Sequence, residues 1–253
     1  MKVSVLSSGS KGNCTYIETK NHKILIDIGT SSLYVEQKLK SINVDPKDID
    51  IVLITHAHID HVSGIKVFTK KYNPLVYISN KIQNEAKLNL KNVSGDEDVN
   101  IESDIIIKSF KLSHDVTDIK GYLIEEDNES VVYITDTGYI NEKIFEYTKN
   151  KNLYIFESNH DVEMLMNNPR YPYHTKIRIL SDKGHLSNKD SSYYLSKLIG
   201  DNTHSIVLAH LSEQNNTEEL ALETLKETLR NKNIDFNNII VAKQNEMTEL
   251  IEV

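Results

Sequence analysis

The sequence predicts an α/β fold, a four-layer αβ/βα sandwich in which two mixed sheets pack face to face with helices outside. Eleven short β-branched apolar runs are each bounded by polar or turn residues, as buried strands are. Five amphipathic stretches lie between them. No repeat, low-complexity tract or Pro/Gly-rich linker divides the chain, so we predict a single domain over residues 1–253.

The predicted elements follow one another closely along the chain. The strands are Val3–Leu6, Tyr16–Glu18, Lys23–Ile28, Ile51–Ile54, Leu75–Ile78, Ile105–Phe110, Tyr122–Glu125, Val131–Ile134, Leu153–Phe156, Ser205–Leu208 and Ile239–Ala242. The helices are Ser32–Leu39, Val62–Lys71, Asn141–Tyr147, Lys189–Leu198 and Thr217–Arg230. The last has the clearest start, because Thr217 can cap it and two acidic residues follow in its first turn.

Composition excludes several classes of protein. With 39% hydrophobic and 26% charged residues, a sizeable core is expected and wholesale disorder is not. No apolar run approaches the roughly 18 residues of a membrane span, and the first residues do not resemble a signal peptide, so we expect a cytoplasmic protein with no membrane partner. A net charge of −8 argues against a nucleic-acid coat protein but is compatible with an enzyme that has a small basic groove.

Residues that can bind a metal or move protons follow five of the predicted strands. Each group comes after a different strand, and the groups are the run His56-Ala57-His58-Ile59-Asp60-His61, His114, Asp136, Glu157 with His160, and His210. If these strands end at one edge, the side chains converge there, where α/β proteins usually place their sites.

The spacing within the first run is itself informative. His56 and His58 stand at i and i+2, so in extended backbone they point the same way and can bind one ion. Asp60 and His61 follow as the chain turns into a helix, and they can face a second ion. A lone His-x-His pattern is weak, but this longer run directly after an apolar strand is much more specific for metal.

Three later residues would complete such a centre. His114 would add a third histidine to the first ion, Asp136 would bridge, and His210 would close the second site. Taken singly, each is better explained as a cap or turn residue, but their order after successive strands favours ligands. Ligation by His and Asp without Cys suits zinc, manganese or iron and does not choose among them.

The run Thr55–His61 resembles the signature of the metallo-β-lactamase superfamily. Further segments resemble its YycJ/WalJ branch, and these are Leu6–Cys14, Glu157–Asp161, Tyr171–Tyr173, Gly184–Asn188 and Leu208–Ser212. The resemblance extends from residue 3 to about residue 225, nearly the whole chain.

This resemblance implies the metallo-β-lactamase fold and a seven-ligand set of two metal ions. His56, His58 and His114 would hold the first ion, Asp60, His61 and His210 the second, with Asp136 shared. It also implies a DNA nuclease, proposed as a 5′→3′ exonuclease, encoded near a cell-wall two-component system. Related RNA-processing nucleases carry an inserted clamp domain or arm, for which the 73 residues between the last two ligands leave no room.

The expected mechanism is hydrolysis by a hydroxide activated by two metals. Two ions about 3.5–4 Å apart can share a water and lower its pKa. Asp60 can orient that nucleophile, and His185 is the candidate donor of a proton to the leaving oxygen. The alternative for His185 is a cap on the helix that begins near Asn188. Glu157 could fix a ligand histidine by a hydrogen bond.

Candidate substrate contacts lie mainly between Glu157 and His185. Four residues of the segment 168–178 could clamp phosphate or stack on bases, and they are Arg170, Tyr173, Lys176 and Arg178. The alternative is a solvated helix face on which Arg178 pairs with a local acid. Asn159, His160 and Lys11 are further candidates, although the loop around Lys11 is equally compatible with a tight hairpin.

The preferred function is therefore a DNA phosphodiesterase with two divalent ions, Zn²⁺ or Mn²⁺, with Fe as an alternative. A second reading is an enzyme that hydrolyses a small cyclic phosphodiester, thioester or lactone, which the acidic net charge favours. A third is a regulatory partner of a cell-wall two-component system, which an intact ligand set argues against. The sequence leaves the oligomeric state open, a homodimer included.

Overall fold

The computed structural model describes residues 1–94, 99–101 and 105–253. The strands within these ranges form two seven-stranded sheets. They are β1 (Lys2–Ser7), β2 (Cys14–Glu18), β3 (Lys23–Ile26), β4 (Ile51–Leu53), β5 (Leu75–Tyr77), β6 (Val93–Ser94), β7 (Val99–Ile101), β8 (Ile105–Lys111), β9 (Lys120–Glu126), β10 (Glu129–Ile134), β11 (Leu153–Glu157), β12 (Ser205–Ala209), β13 (Ile239–Val241) and β14 (Ile251–Glu252).

Both sheets are mixed, and each has a parallel half. The first has the strand order β14-β1-β2-β3-β4-β5-β6, and β3 to β6 run parallel to one another. The second has the order β13-β12-β11-β10-β9-β8-β7, and β10 to β13 run parallel. Parallel neighbours present their carboxyl ends at one edge of a sheet, which is where such folds place their sites.

The described ranges also contain nine α-helices. They are α1 (Ser32–Ser41), α2 (Ile59–Val62), α3 (Ile65–Tyr72), α4 (Asn80–Glu85), α5 (Glu142–Thr148), α6 (Val162–Asn167), α7 (Tyr173–Ile179), α8 (Asn188–Leu198) and α9 (Glu218–Asn231), with a 3-10 turn at Pro46–Asp48. No helix in the described ranges combines the length and the apolar character that crossing a bilayer requires.

Three apolar cores separate the four layers. Between the sheets, Val5 and Ile24 of the first meet Ile124 and Ile155 of the second, all at most 1% exposed. A second core joins the outer face of the first sheet to α1, α3 and α4, and a third joins the other sheet to α5, α8 and α9. Full burial of one such aliphatic side chain stabilises the fold by about 1.5–3 kcal/mol, so these layers hold the strand ends in place.

The predicted four-layer sandwich is confirmed, and all eleven predicted strands are present. The predicted strand boundaries differ from the observed ones by one or two residues, and the strand predicted over Lys23–Ile28 ends at Ile26. The sequence prediction missed β6, β7, β14, α4, α6, α7 and the 3-10 turn. These are short elements of two to seven residues, too short to show a clear hydrophobic period.

The helix predicted over Val62–Lys71 corresponds to α3, which begins three residues later at Ile65. The short α2 ends at Val62, and Ser63 and Gly64 separate the two helices. The Gly64 N–H donates to the Ile28 carbonyl at 2.9 Å. A Cβ atom on Gly64 would lie 2.1 Å from the Thr30 carbonyl oxygen, so only glycine allows this close approach. The break anchors the start of α3 to the loop that follows β3.

Candidate metal centre

The seven predicted ligands come together at one edge of the sandwich. We call His56, His58 and His114 the three-histidine set, and Asp60, His61 and His210 the mixed set. Within each set, one potential ligand atom of every member lies within 4.8 Å of those of the others. The two sets reproduce the grouping expected from the sequence. That the residues bind metal stays a prediction.

Asp136 lies between the two sets. Its Oδ2 is 3.2 Å from His61 Nε2, and its Oδ1 is 3.5 Å from His210 Nε2 and 4.0 Å from His114 Nε2. The carboxylate therefore faces members of both sets, which is the position that a bridging ligand needs.

Buried side chains behind two of the histidines fix their tautomers. Asp27 Oδ2 lies 2.7 Å from His61 Nδ1 and also accepts the Thr55 hydroxyl at 2.8 Å. Since that hydroxyl hydrogen is already donated, Thr55 Oγ1 accepts from His56 Nδ1 at 3.1 Å. Both rings thus carry hydrogen on Nδ1, and their Nε2 lone pairs are left for a ligand.

The remaining buried ligand histidines are held in the same way. His114 Nδ1 donates to the Gly184 carbonyl at 3.0 Å, and His210 Nδ1 donates to Glu157 Oε1 at 2.9 Å. The other oxygen of Glu157 accepts the N–H groups of Thr137 and Leu186 at 3.0 and 3.1 Å. Glu157 therefore does hold a predicted ligand, as the sequence suggested it could.

The donor set fits divalent metal ions. His56 Nε2 and His210 Nε2 are buried and have no hydrogen-bond partner in the described part of the chain. A buried polar atom without a partner costs about 1–3 kcal/mol, and a divalent cation bound in this carboxylate-lined cluster would give both atoms a partner. Imidazole and carboxylate ligands suit zinc, manganese and iron.

Electrostatics differ between the two sets. In the mixed set, burial lowers the pKa of His61, but Asp136 and Asp27 outweigh burial and raise it to about 10. The pKa of His210 is likewise raised well above its ordinary value against burial by Asp136, Asp60 and Glu157. In the three-histidine set, burial lowers the pKa of His56 and of His114.

Three residues at this edge have left-handed backbone. Asp27, Asp136 and His210 have φ values of 59°, 58° and 57°. This region is uncommon for residues other than glycine, and strain of this kind concentrates at functional sites. All three lie at or just after the ends of β3, β10 and β12, so each turns its side chain sharply into the cluster.

His185 also lies at the cluster. Its Nδ1 is 2.8 Å from Glu157 Oε1 and 3.7 Å from Asp136 Oδ1, and its side chain is 20% exposed. The helix-cap alternative does not hold, because Ser187 caps α8 by accepting from the Asp190 N–H at 3.1 Å. A role for His185 in proton transfer stays a prediction.

Asn159 and His160, predicted as substrate contacts, are buried beside the cluster. The Asn159 amide donates to the His210 carbonyl at 2.8 Å, so it braces a ligand loop. His160 is 1% exposed, and neither ring nitrogen has a hydrogen-bond partner among the described residues. Burial lowers the pKa of His160 to about 4. Direct substrate contact by either residue stays a prediction.

The basic candidates have different surroundings. Lys176 is buried and donates to the Met166 carbonyl at 2.6 Å, so its ammonium links α7 to α6. Lys11 pairs with Glu213 at 2.6 Å, and Arg178 pairs with Asp115, an acid from another part of the chain and not a local one. Arg170 is exposed, and Tyr173 is 69% exposed.

Sequence reasoning missed three polar residues at this edge. Asp27 was hidden inside the overlong predicted strand, although it directly follows β3 as the ligands follow their strands. Asp115 adjoins His114, and its Oδ1 lies 3.2 Å from His114 Nε2 and 3.8 Å from His58 Nε2. Asn13 Nδ2 lies 3.0 Å from His61 Nε2, and nothing in its loop sequence signalled this contact.

The absence of a side chain at Gly29 allows the loop of Asn13 to approach the loop of Asp60. The Asn13 N–H donates to the Asp60 carbonyl at 2.8 Å, and the Gly29 N–H donates to the Asn13 carbonyl at 2.8 Å. A Cβ atom on Gly29 would lie 1.7 Å from the Asp60 carbonyl oxygen. Any side chain there would push the loop that carries Asp60 and His61 out of place.

Comparison with known proteins agrees with this arrangement. The family model described as the metallo-beta-lactamase superfamily matches residues 8–175. The exodeoxyribonuclease YycJ of Bacillus anthracis is 39% identical over 236 residues, covering 90% of this chain and 89% of that protein. The exodeoxyribonuclease WalJ of Streptococcus pneumoniae serotype 2 is 39% identical over 88% of this chain and 86% of its own length.

Solved structures with lower identity share the fold. The metallo-beta-lactamase fold protein YhfI from Bacillus subtilis covers 98% of this chain and 99% of its own, with a TM-score of 0.71 at 16% identity. Zn²⁺-bound PqqB from Methylobacterium extorquens covers 98% and 100%, with a TM-score of 0.72 at 12% identity. On the family match and the 39% identity over most of both chains, the chain belongs to the metallo-β-lactamase superfamily, in its YycJ/WalJ branch.

Proposed function

We propose that the protein is a metal-dependent phosphodiesterase that acts on DNA, with 5′→3′ exonuclease action and a cytoplasmic location as parts of the proposal. The observation that carries it is the cluster of two ligand sets joined by Asp136. Phosphodiester hydrolysis needs charge stabilisation on both sides of phosphorus, and paired metal sites suit that need. Likeness to relatives named exodeoxyribonucleases supports removal of nucleotides from a strand end, and the 5′→3′ direction is what the resemblance to this branch implies.

The two sets would hold two divalent ions, Zn²⁺ or Mn²⁺ with iron as an alternative. When bound, such ions lower the pKa of a water and neutralise charge on phosphate oxygens. The three-histidine set would take one ion and the mixed set the other, with Asp136 shared. The buried hydrogen bonds to Asp27, Glu157 and Gly184 hold the rings in place for this.

Asp60 is suited to orient the attacking water. Its carboxylate is 17% exposed, so it lines the open part of the cluster, and its Oδ2 lies 3.4 Å from Asn13 Nδ2 and 3.8 Å from His210 Nε2. Carboxylates accept hydrogen bonds, so Asp60 can direct a lone pair of that water at phosphorus.

His185 is suited to give a proton to the leaving oxygen. Its Nδ1 donates to Glu157, so its Nε2 is the atom that can carry the second proton. Burial raises the pKa of Glu157, but His185 and His210 outweigh burial and lower it to about 2. Glu157 is therefore ionised at neutral pH, and by accepting the Nδ1 hydrogen of His185 it orients that ring with Nε2 towards the cluster's open side.

Arg170 and Tyr173 are the substrate contacts that we retain in the proposal. Both are exposed on the segment that leads into and begins α7. Arginine can bind a phosphate with two hydrogen bonds, and a tyrosine ring can stack on a base. We leave Lys176 out, since its ammonium is directed at the Met166 carbonyl.

The test is hydrolysis of end-labelled single- and double-stranded DNA with Mn²⁺ or Zn²⁺, beside bis-p-nitrophenyl phosphate and a thioester. We expect mononucleotides released from the 5′ end, with activity abolished in His58→Ala. His204→Ala is the matched control, because His204 is exposed and belongs to none of the ligand groups. Cleavage of the small esters with DNA untouched would support the small-molecule alternative instead.

His185→Ala tests the proton donor separately. We expect unchanged metal content and a loss of about 10²–10⁴-fold in kcat on DNA, the usual contribution of a positioned acid. Hydrolysis of bis-p-nitrophenyl phosphate should fall much less, because p-nitrophenolate leaves without protonation. Loss of metal from this variant, measured by elemental analysis, would show instead that His185 is a ligand.

A further inference from the structure

One carboxylate beside the metal centre is not used in the proposed reaction. Asp115 directly follows the predicted ligand His114 and is 25% exposed. Its Oδ1 lies 3.2 Å from His114 Nε2 and 3.8 Å from Nε2 of His58, which is itself 40% exposed. A single oxygen of Asp115 therefore faces two members of the three-histidine set, although these two histidines are far apart in the sequence.

These separations match those between two ligands of one metal ion. Atoms bound to a tetrahedral zinc ion at about 2.0–2.1 Å lie about 3.3–3.4 Å from each other. The distances of 3.2 and 3.8 Å from Asp115 Oδ1 to the two histidines lie on either side of that value. The bridging candidate Asp136 is farther away, with its Oδ1 4.0 Å from His114 Nε2. Of the two carboxylates, Asp115 is therefore the better placed to share an ion with His114.

The tautomer of His114 favours a cation between these atoms. His114 Nδ1 donates its hydrogen to the Gly184 carbonyl at 3.0 Å, so in the neutral ring Nε2 carries a lone pair. An ionised carboxylate oxygen of Asp115 likewise only accepts, and two acceptors in contact repel each other. A cation held by both atoms replaces that repulsion with attraction. The contact between Asp115 and His114 is therefore suited to the metal-loaded protein.

The second oxygen of Asp115 is held by Arg178. The guanidinium Nη1 donates to Asp115 Oδ2, and the arginine side chain is 60% exposed. Each carboxylate oxygen thus has its own partners, and Oδ1 can bind an ion while Oδ2 stays on Arg178. Ligand carboxylates are commonly hydrogen-bonded in this way. Because the positive charge of Arg178 competes with the ion for the carboxylate, Asp115 should be a readily exchanged ligand.

We propose that Asp115 is a further ligand of the three-histidine set, and an exchangeable one that yields its place to a phosphate oxygen while Arg178 retains its other oxygen. The inference rests on the two-ion centre of the proposed function and adds a ligand to the seven expected from the sequence. Closed zinc sites are four-coordinate, whereas catalytic sites keep a position for substrate. Asp115 fills the exposed side of the set when no substrate is present and frees it for phosphate.

The test follows metal binding instead of turnover. Asp115→Ala removes the ligand, and Asp115→Asn keeps its shape without the charge. Asp182→Ala is the matched control, because Asp182 is an exposed carboxylate close to Gly184 that belongs to none of the ligand groups. Isothermal titration calorimetry of the metal-free full chain with Zn²⁺ gives the affinity of each binding step, and His58→Ala identifies the step of the three-histidine set. Visible absorption during titration with Co²⁺ reports the ligands of each ion, and inorganic phosphate is then added as the probe.

In Asp115→Ala we expect the affinity of the three-histidine step to fall at least about tenfold, the lower end of the loss caused by removing an outer partner of a ligand. The other step should be unchanged. The Co²⁺ spectrum of the three-histidine step should differ from that of the unmodified protein, because one ligand is gone. Phosphate should bind this variant more tightly, since no ligand has to leave. Asp182→Ala should match the unmodified protein in all three measurements.

Two results would overturn the inference. In one, the Asp115 variants keep the affinity and the Co²⁺ spectrum of the unmodified protein, which would leave Asp115 as a partner of Arg178 alone. In the other, Asp182→Ala weakens the three-histidine step as much as Asp115→Ala does, which would reduce the effect to net charge. If circular dichroism shows Asp115→Ala to be unfolded, Asp115→Asn carries the same comparison. A protein that binds two ions in the expected way but leaves DNA intact would contradict the proposed function and keep this inference, so the two failures are distinguishable.

Discussion

The two ligand sets differ in the groups that accept hydrogen bonds from their histidine rings. Histidines of the mixed set donate to buried carboxylates, His61 to Asp27 and His210 to Glu157. In the three-histidine set, His56 donates to a hydroxyl and His114 to a backbone carbonyl. His58 is 40% exposed and has no such partner among the described residues. The mixed set thus has buried carboxylates behind its histidines, whereas the three-histidine set has neutral groups behind two of its rings and one exposed member.

This difference predicts which set binds its metal ion more tightly and which set is accessible to substrate. A carboxylate behind a histidine raises the basicity of the ligand and fixes its ring, so the mixed set should bind its ion more tightly. The exposed His58 leaves the three-histidine set open to substrate. We therefore expect stepwise metal binding, with the mixed set filled first.

Asp27→Asn should cause the largest change in the difference between the metal affinities of the two sets. The amide keeps the shape but removes the charge behind His61, so affinity for the more tightly bound metal should fall by about 10–100-fold. The weaker site should change less, because His114 and His58 do not touch Asp27 and His56 is linked to it only through the Thr55 hydroxyl. Isothermal titration calorimetry with Zn²⁺ on the metal-free protein would resolve the two binding steps.

Asp127→Asn is the matched control, since this carboxylate is 76% exposed and its described ion pair is with Lys20, not with a ligand histidine. Glu157→Gln gives an independent check through His210. An equal loss of affinity at both sites in Asp27→Asn would contradict the asymmetry, provided that circular dichroism shows the variant to be folded.

The two sets should also differ in the number of protons that they release when a metal ion binds. Asp136 and Asp27 raise the pKa of His61 to about 10 despite its burial, so in the metal-free protein His61 is protonated at pH 7. An ion that binds the mixed set must displace that proton, and also one from His210, whose pKa is likewise raised well above its ordinary value. Its affinity should therefore rise by at least about tenfold per pH unit up to about pH 10. His56 and His114, whose pKa values are lowered by burial, release no proton at pH 7.

Calorimetry in buffers of different ionisation enthalpy counts these protons directly. At least one proton released in the tighter step and none in the weaker step would agree with the comparison. Equal release in both steps, or an affinity of the tighter site that falls as pH rises, would contradict it.

The comparison also shows which parts of the site a sequence can reveal. The seven predicted ligands follow strands that could be recognised from apolar runs, so their convergence at one edge followed from the sheet order. Asp27 could have been found by the same rule, but the predicted strand ran two residues too far. Contacts across the fold, such as Asp115 with Arg178, 63 positions apart, depend on how helices pack and leave no local signal.

The shortest strands were missed for a related reason. Elements with long apolar runs were all found, whereas β6 and β14, of two residues each, are defined by pairing with a neighbouring strand. Pairing is a property of the assembled sheet, and two residues have no period to recognise. The single-domain organisation stays a prediction, although residues of both sheets share one core.

Arg178→Gln should have the smallest effect, and it should change the metal affinity of the three-histidine set alone. Arg178 pairs with Asp115, whose other oxygen lies near His114 and His58. Removing the cation leaves that carboxylate free to attract the weaker-binding ion, so its affinity should rise. Arg178 is 60% exposed, and exposed pairs are worth about 1 kcal/mol at most, or about fivefold. The same titration checks this, and a change in the tighter step would mean that the two sets are not independent.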